Sequence, residues 1–178
     1  MKKLIHSLTA LTLLIFMVSF NGCDELQSLP LNVPIPFEFE TSGNSSSTDE
    51  SRTICVSSVE DLAEYRDDIK QIRFLNAAYW TESATPGLSG NLTLSLRTQN
   101  GTPILSINLP NVRPADYLNT PFVINLSPNE IQLLETYLSN FVNSNECFVA
   151  LLSITNTNPT NHTIKGRVEI VVEAEVEF

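Results

Sequence analysis

The chain has 178 residues, 42% of them apolar, so it has the length of one domain and is too apolar for wholesale disorder. Lys2 and Lys3 precede residue 23, and from there on 8 basic side chains face 20 acidic ones, a charge of −12. That balance opposes binding to nucleic acid or to anionic lipid headgroups by charge.

Lys2 and Lys3 form a positive start, and Leu4 to Phe20 a mainly apolar run of 17 residues interrupted by His6, Ser7, Thr9, Thr12 and Ser19. The run is at the lower limit for spanning a bilayer and has the pattern of a signal sequence. No pair of small residues two apart lies near Phe20 to serve an ordinary cleavage site.

The segment Phe20-Asn21-Gly22-Cys23 resembles the lipobox of bacterial lipoproteins, which usually reads Leu, a small residue, Gly or Ala, then Cys. Gly22 and Cys23 match, Phe20 stands in place of Leu, and Asn21 in place of the small residue. The resemblance covers residues 1–23 only. It implies that 1–22 are removed and that Cys23 carries a thioether-linked diacylglycerol and an amide-linked acyl chain, palmitate being the expected type. Two or three acyl chains give stable anchoring. The implied address is the bacterial cell envelope, with the outer membrane expected. Asp24 resembles an inner-membrane retention signal of enteric-type lipoproteins, and acidic residues at 24 and 25 resemble a surface-export signal of other lineages, so the leaflet stays open.

Residues 23–30 read as a tether and 31–178 as one domain. Phe37 and Phe39 alternate with Glu38 and Glu40, which is strand period, and Pro34 and Pro36 confine that strand to an edge or a strand start. Residues 42–52 are polar and patternless and read as a mobile loop, followed by a short strand at Thr53–Val56. Ser57 and Glu60 have capping-box spacing, predicting a helix to about Asp68. Ile69 to Thr81 reads as a strand with Ile72, Phe74, Ala78 and Trp80 on one face.

Leu92, Leu94 and Leu96, then Leu105, Ile107 and Leu109, alternate with polar residues on either side of Asn100-Gly101. A two-residue type I′ turn there makes opposed residue numbers sum to 201 and puts all six apolar side chains on one face. Phe122, Ile124 and Leu126 mark another strand. Ser127, Pro128 and Glu130 form a capping box with proline at the first helical position, and Ile131, Leu134, Leu138 and Phe141 follow at helical spacing. Cys147–Thr155 is apolar on both faces, as in a central strand. Thr163–Phe178 alternates almost throughout, with Ile164 to Val176 buried and Lys165 to Glu177 outward. Together these elements predict a mainly β fold: an antiparallel β-sandwich of seven or eight strands with two short amphipathic helices.

Chemistry-bearing patterns are sparse. Beyond the signal the only histidine is His162, read as a solvated turn residue. No zinc or EF-hand spacing and no phosphate-cradling glycine motif occurs, so no cofactor, metal or catalytic residue is expected. Glu169, Glu173, Glu175 and Glu177 share one strand face. Setting Cys23 aside leaves Cys55 and Cys147, a disulfide candidate in an exported protein.

The expected function is therefore a non-enzymatic binding or structural domain, held to a membrane by its N-terminal lipid and meeting a protein or glycan partner in the envelope. Two alternatives are a carboxylate-dependent hydrolase, using the C-terminal glutamates or Asp116 with Tyr117, and a carrier of a lipid or other apolar ligand between the sheets.

Overall fold

A computed structural model describes residues 28–144 and 147–177. The lipobox, Cys23 and most of the expected tether lie outside these residues. The described chain forms β1 (Ser28–Gly43), β2 (Ser47–Cys55), α1 (Glu60–Glu64), β3 (Ile69–Ala84), β4 (Ser89–Thr98), β5 (Pro103–Val112), β6 (Phe122–Val123), α2 (Pro128–Ser144), β7 (Cys147–Asn158) and β8 (His162–Glu177). The strands make two four-stranded sheets, β1-β8-β3-β6 and β2-β7-β4-β5, with every pairing antiparallel. The expected sandwich is present. Successive strands cross from one sheet to the other except at the β4–β5 hairpin, and the first strand lies beside the last. Eight strands so connected form a jelly roll.

The long alternation of β8 does what its period requires. Ile164, Val168, Ile170, Val172, Ala174 and Val176 are buried, facing Phe148, Ala150, Leu152 and Ile154 of β7 and the inward Val33, Ile35, Phe37 and Phe39 of β1. Phe37 and Phe148 meet across the layers with ring centroids 5.4 Å apart. Tyr79 stacks on Phe39 at 6.0 Å, and its hydroxyl lies 2.7 Å from Thr81 Oγ1, so the buried phenol is satisfied. Gly166 lies opposite Phe39, and a Cβ there would come within 2.8 Å of that ring and 2.5 Å of the Trp80 carbonyl.

β1 is an edge strand, as its prolines require. The Glu40 N–H points away from β8 and donates to Glu50 Oε2 at 2.7 Å. Pro34 and Pro36 share that parity, so their missing N–H groups fall on the same open edge. On the other side of the sheet, the Phe74 N–H donates to Glu135 Oε1 at 2.8 Å.

Several expectations are corrected. Residues 42–52 are not a loop: they complete β1, turn at 44–46 and begin β2. An exposed edge strand needs no apolar alternation, and Thr48–Thr53 has none. β1 also starts at Ser28, ahead of the apolar pattern, because it pairs with the end of β8. In β3, extra residues at Lys70, Leu75 and Glu82 make bulges, and the one at Leu75 reverses the parity of the residues after it. Ile72 and Phe74 face inward as expected, whereas beyond the bulge Ala77, Tyr79 and Thr81 do so, and Trp80 lies on the outer face under the Arg167 guanidinium, 4.9 Å from the ring centroid.

The β4–β5 register sums to 201 from Leu92–Leu109 through Leu96–Leu105, as predicted. The turn is a different one. The Gly101 N–H bonds the Thr98 carbonyl at 2.9 Å and the Thr98 N–H bonds the Thr102 carbonyl at 2.8 Å, enclosing three residues. Only Gly101 has positive φ (+86°), and the extra residue Ile104 restores the register. A three-residue loop plus bulge thus replaces the type I′ turn.

α1 stops at Glu64, and Ser57 does not cap it. Val59 occupies the cap position, and Ser58 Oγ instead donates to the Cys55 carbonyl at 2.7 Å. The capping box of α2 forms as read: the Ser127 N–H donates to Glu130 Oε2 at 2.8 Å and the Glu130 N–H to Ser127 Oγ at 3.4 Å. Those contacts from the Ser127 backbone and then its hydroxyl hold the Glu130 carboxyl below its ordinary range. Leu134, Leu138 and Val142 are buried where α2 packs against β3 and β5, covering the side of the sandwich on which β6 is only two residues long.

Candidate functional site

Cys55 and Cys147 form a disulfide, 92 residues apart in sequence and 4.1 Å between Cα atoms. They are the last register pair of the β2–β7 ladder, so the bond clamps the end of sheet two, next to the turn that leads into α1. Tyr137 Oη donates to the Cys147 carbonyl at 2.6 Å, tying α2 to the same place.

The C-terminal glutamates are spread along the outer face of β8 and held by neighbours. Ser28 Oγ donates to Glu175 at 2.8 Å, Arg73 lies 3.6 Å from Glu173, and Lys70 pairs with Glu177. These carboxylates act as cross-strand partners on a sheet surface. Tyr117 packs edge-on between Tyr79 and Phe122, at 5.8 and 5.6 Å, so it belongs to the core margin, while Asp116 is exposed.

His162 is not a solvated turn residue. It begins β8 and is buried opposite Gly43, where a Cβ would come within 2.5 Å of Thr48 Oγ1, the group that meets the imidazole. Its Nδ1 lies 2.9 Å from the Thr160 carbonyl, and its Nε2 3.3 Å from Thr48 Oγ1. A carbonyl can only accept, so Nδ1 carries a proton, and in the neutral ring Nε2 accepts from the threonine hydroxyl. The histidine fastens the turns at 44–46 and 159–161 together.

A surface concavity of about 420 Å³ lies where the edges of the two sheets part. Glu38 and Glu40 of β1, Arg52 and Ile54 of β2, and Lys165 of β8 line it. Sequence reasoning missed it, because β2 was hidden in a polar segment. Its cations are engaged: Arg52 pairs with Glu50 at 2.6 Å and Lys165 with Glu82 at 2.8 Å. Those contacts raise the Lys165 ammonium above its ordinary range. The groove is thus polar, with both of its cations held in ion pairs.

Between the sheets, the voids beside Leu94 measure about 10 Å³ each, one lined by Ile107 and Leu152 and the other by Phe37 and Ile170. Each has room for about one water at most, so the interior there has no space for an apolar ligand. Among the described residues no helix is long and apolar enough to cross a membrane, and no group of three or more His, Cys, Asp or Glu could hold a metal ion.

No family model and no curated protein matches the chain. Solved structures similar to it include viral ones. The tobacco necrosis virus structure is 12% identical with a TM-score of 0.38, over 85% of this chain and 84% of that one. The decameric BFDV capsid protein is 10% identical with a TM-score of 0.44, over 83% and 99%. The VP2 subviral particle of infectious bursal disease virus is 12% identical with a TM-score of 0.39, over 88% of this chain and 40% of that one. Likeness at this level carries nothing about what the present chain binds.

Proposed function

We propose that the chain is a lipid-anchored protein of the bacterial cell envelope, addressed to the outer membrane, whose jelly-roll domain binds a protein or glycan there without catalysing a reaction. The observation that carries this reading is the cysteine arithmetic. Of three cysteines, Cys55 and Cys147 are bonded to each other, and the third, Cys23, stands directly after an apolar run and Gly22. A disulfide between strands suits an oxidising compartment, in keeping with export. The packed interior and the internally paired surface carboxylates favour binding by a surface over carriage or hydrolysis.

The test is metabolic labelling with a clickable fatty acid, comparing wild type with Cys23→Ser. Incorporation in the wild type and its loss in the variant is the expected result. Equal labelling of the two, or none in either, refutes the anchor.

A further inference from the structure

The ladder that starts β1 fixes which end of the molecule the N-terminal segment leaves from. Ser28 pairs with Glu177 and its hydroxyl holds Glu175, while the Glu177 N–H donates to the Asp68 carbonyl at 3.0 Å. The start of β1, the end of β8 and the start of β3 therefore share one end of the sandwich. From there β1 and β8 stay in unbroken register to Gly43–His162. Sixteen residues at about 3.3 Å each place the opposite end about 50 Å away.

Four residues lie between Cys23 and Ser28, and the five steps from one to the other extend at most about 18 Å. Resting on the lipidation of Cys23 proposed above, we infer that the Ser28–Glu177 end of the domain faces the lipid surface and that the opposite end, with the turns at 44–46, 85–88 and 159–161, is held outward. Leu29 is 50% exposed at the membrane-facing end, where an apolar side chain can meet the interface. Lying flat is disfavoured, because the part from Cys23 on, with a charge of −12, gains nothing by laying its sides on anionic headgroups.

The outward end is built as a fixed platform. Thr157 donates its N–H to the Ser46 carbonyl at 3.2 Å and its hydroxyl to Ser45 at 3.1 Å. The Thr85 N–H donates to the Thr163 carbonyl at 2.9 Å, the Thr163 N–H returns to Thr85 Oγ1 at 2.8 Å, and His162 joins Thr48 to Thr160. Residues 42–48, 83–91 and 155–163 contain no Asp, Glu, Lys or Arg, in a chain otherwise rich in acid. Held loops of this kind bind without first having to be ordered.

The experiment uses the lipoprotein purified from membranes and reconstituted in phosphatidylcholine–phosphatidylglycerol vesicles, with one fluorophore on Lys70→Cys or on Thr160→Cys. Both positions are exposed, and the bonded Cys55 and Cys147 do not compete for label. A headgroup-attached quencher is expected to quench the label at 70 several-fold more than the label at 160. Equal quenching, or stronger quenching at 160, in protein that floats with the vesicles overturns this orientation and leaves the anchor standing. Protein that neither floats nor carries fatty acid on Cys23 overturns the anchor, and the orientation with it.

Discussion

Gly166 shows how much one side chain can decide. It sits in the middle of the most regular strand, where alternation calls for another apolar residue, yet Phe39 and the Trp80 carbonyl already fill the place of a Cβ. Gly166→Ala is expected to lower the unfolding free energy by about 1–3 kcal/mol, read by urea titration, because the crowding atoms include backbone that cannot turn aside. Tyr79 makes a second case. Burial pushes its phenol up to about 12, above the ordinary 10, so the unfolded chain ionises first. The stabilisation is whole below pH 10 and is lost as pH rises toward 12, by about 2–3 kcal/mol in all. Thermal melts of Tyr79→Phe across this range are expected to lack that share of the alkaline decline. Neither role was legible in the sequence. Both depend on strand partners far away in the chain, as does the burial beside Thr48 of His162, which read as a turn residue because Pro159 and Asn161 surround it.

Among the elements, several whose signal is local were read correctly, although the Ser57–Glu60 capping box and the Asn100-Gly101 two-residue turn, equally local, did not form. The capping box at Ser127–Glu130, the stripe on α2, the alternation of β8 and the apolar register of β4–β5 are all carried within a few residues. Where an element departs from its own period, the reading failed. The bulge at Leu75 turns Trp80 outward, and β2 is polar because it lies at an edge. The hairpin tip separates two turn types by experiment. A type I′ turn requires positive φ at both Asn100 and Gly101, whereas here Gly101 alone has it. Gly101→Val is expected to cost about 1–2 kcal/mol and Asn100→Ala to change stability little, measured by chemical denaturation of each variant. Similar costs at both positions would favour the two-residue turn.

For the whole molecule, the period of each strand told that the fold was a sandwich but not which strands lie side by side. Ser28 pairs with Glu177, and consecutive strands other than β4 and β5 alternate between sheets, so the order β1-β8-β3-β6 is set by packing that no local window contains. The cysteine pair was legible because setting Cys23 aside leaves only two cysteines in the sequence, and the groove between the sheet edges was not, because β2 was read as loop as far as Arg52. The disulfide closes a span of 92 residues, and replacing both Cys55 and Cys147 by Ser is expected to cost about 2–4 kcal/mol, seen as a lower urea midpoint that reductant no longer shifts. The last consequence comes from the guarded margins of the first sheet. Pro34 and Pro36 offer no donors, and Glu50 and Glu135 occupy those of Glu40 and Phe74. A neighbouring molecule seeking to add its own strand finds the hydrogen-bonding places empty or taken, so dense populations of this protein can stand shoulder to shoulder without polymerising through these borders.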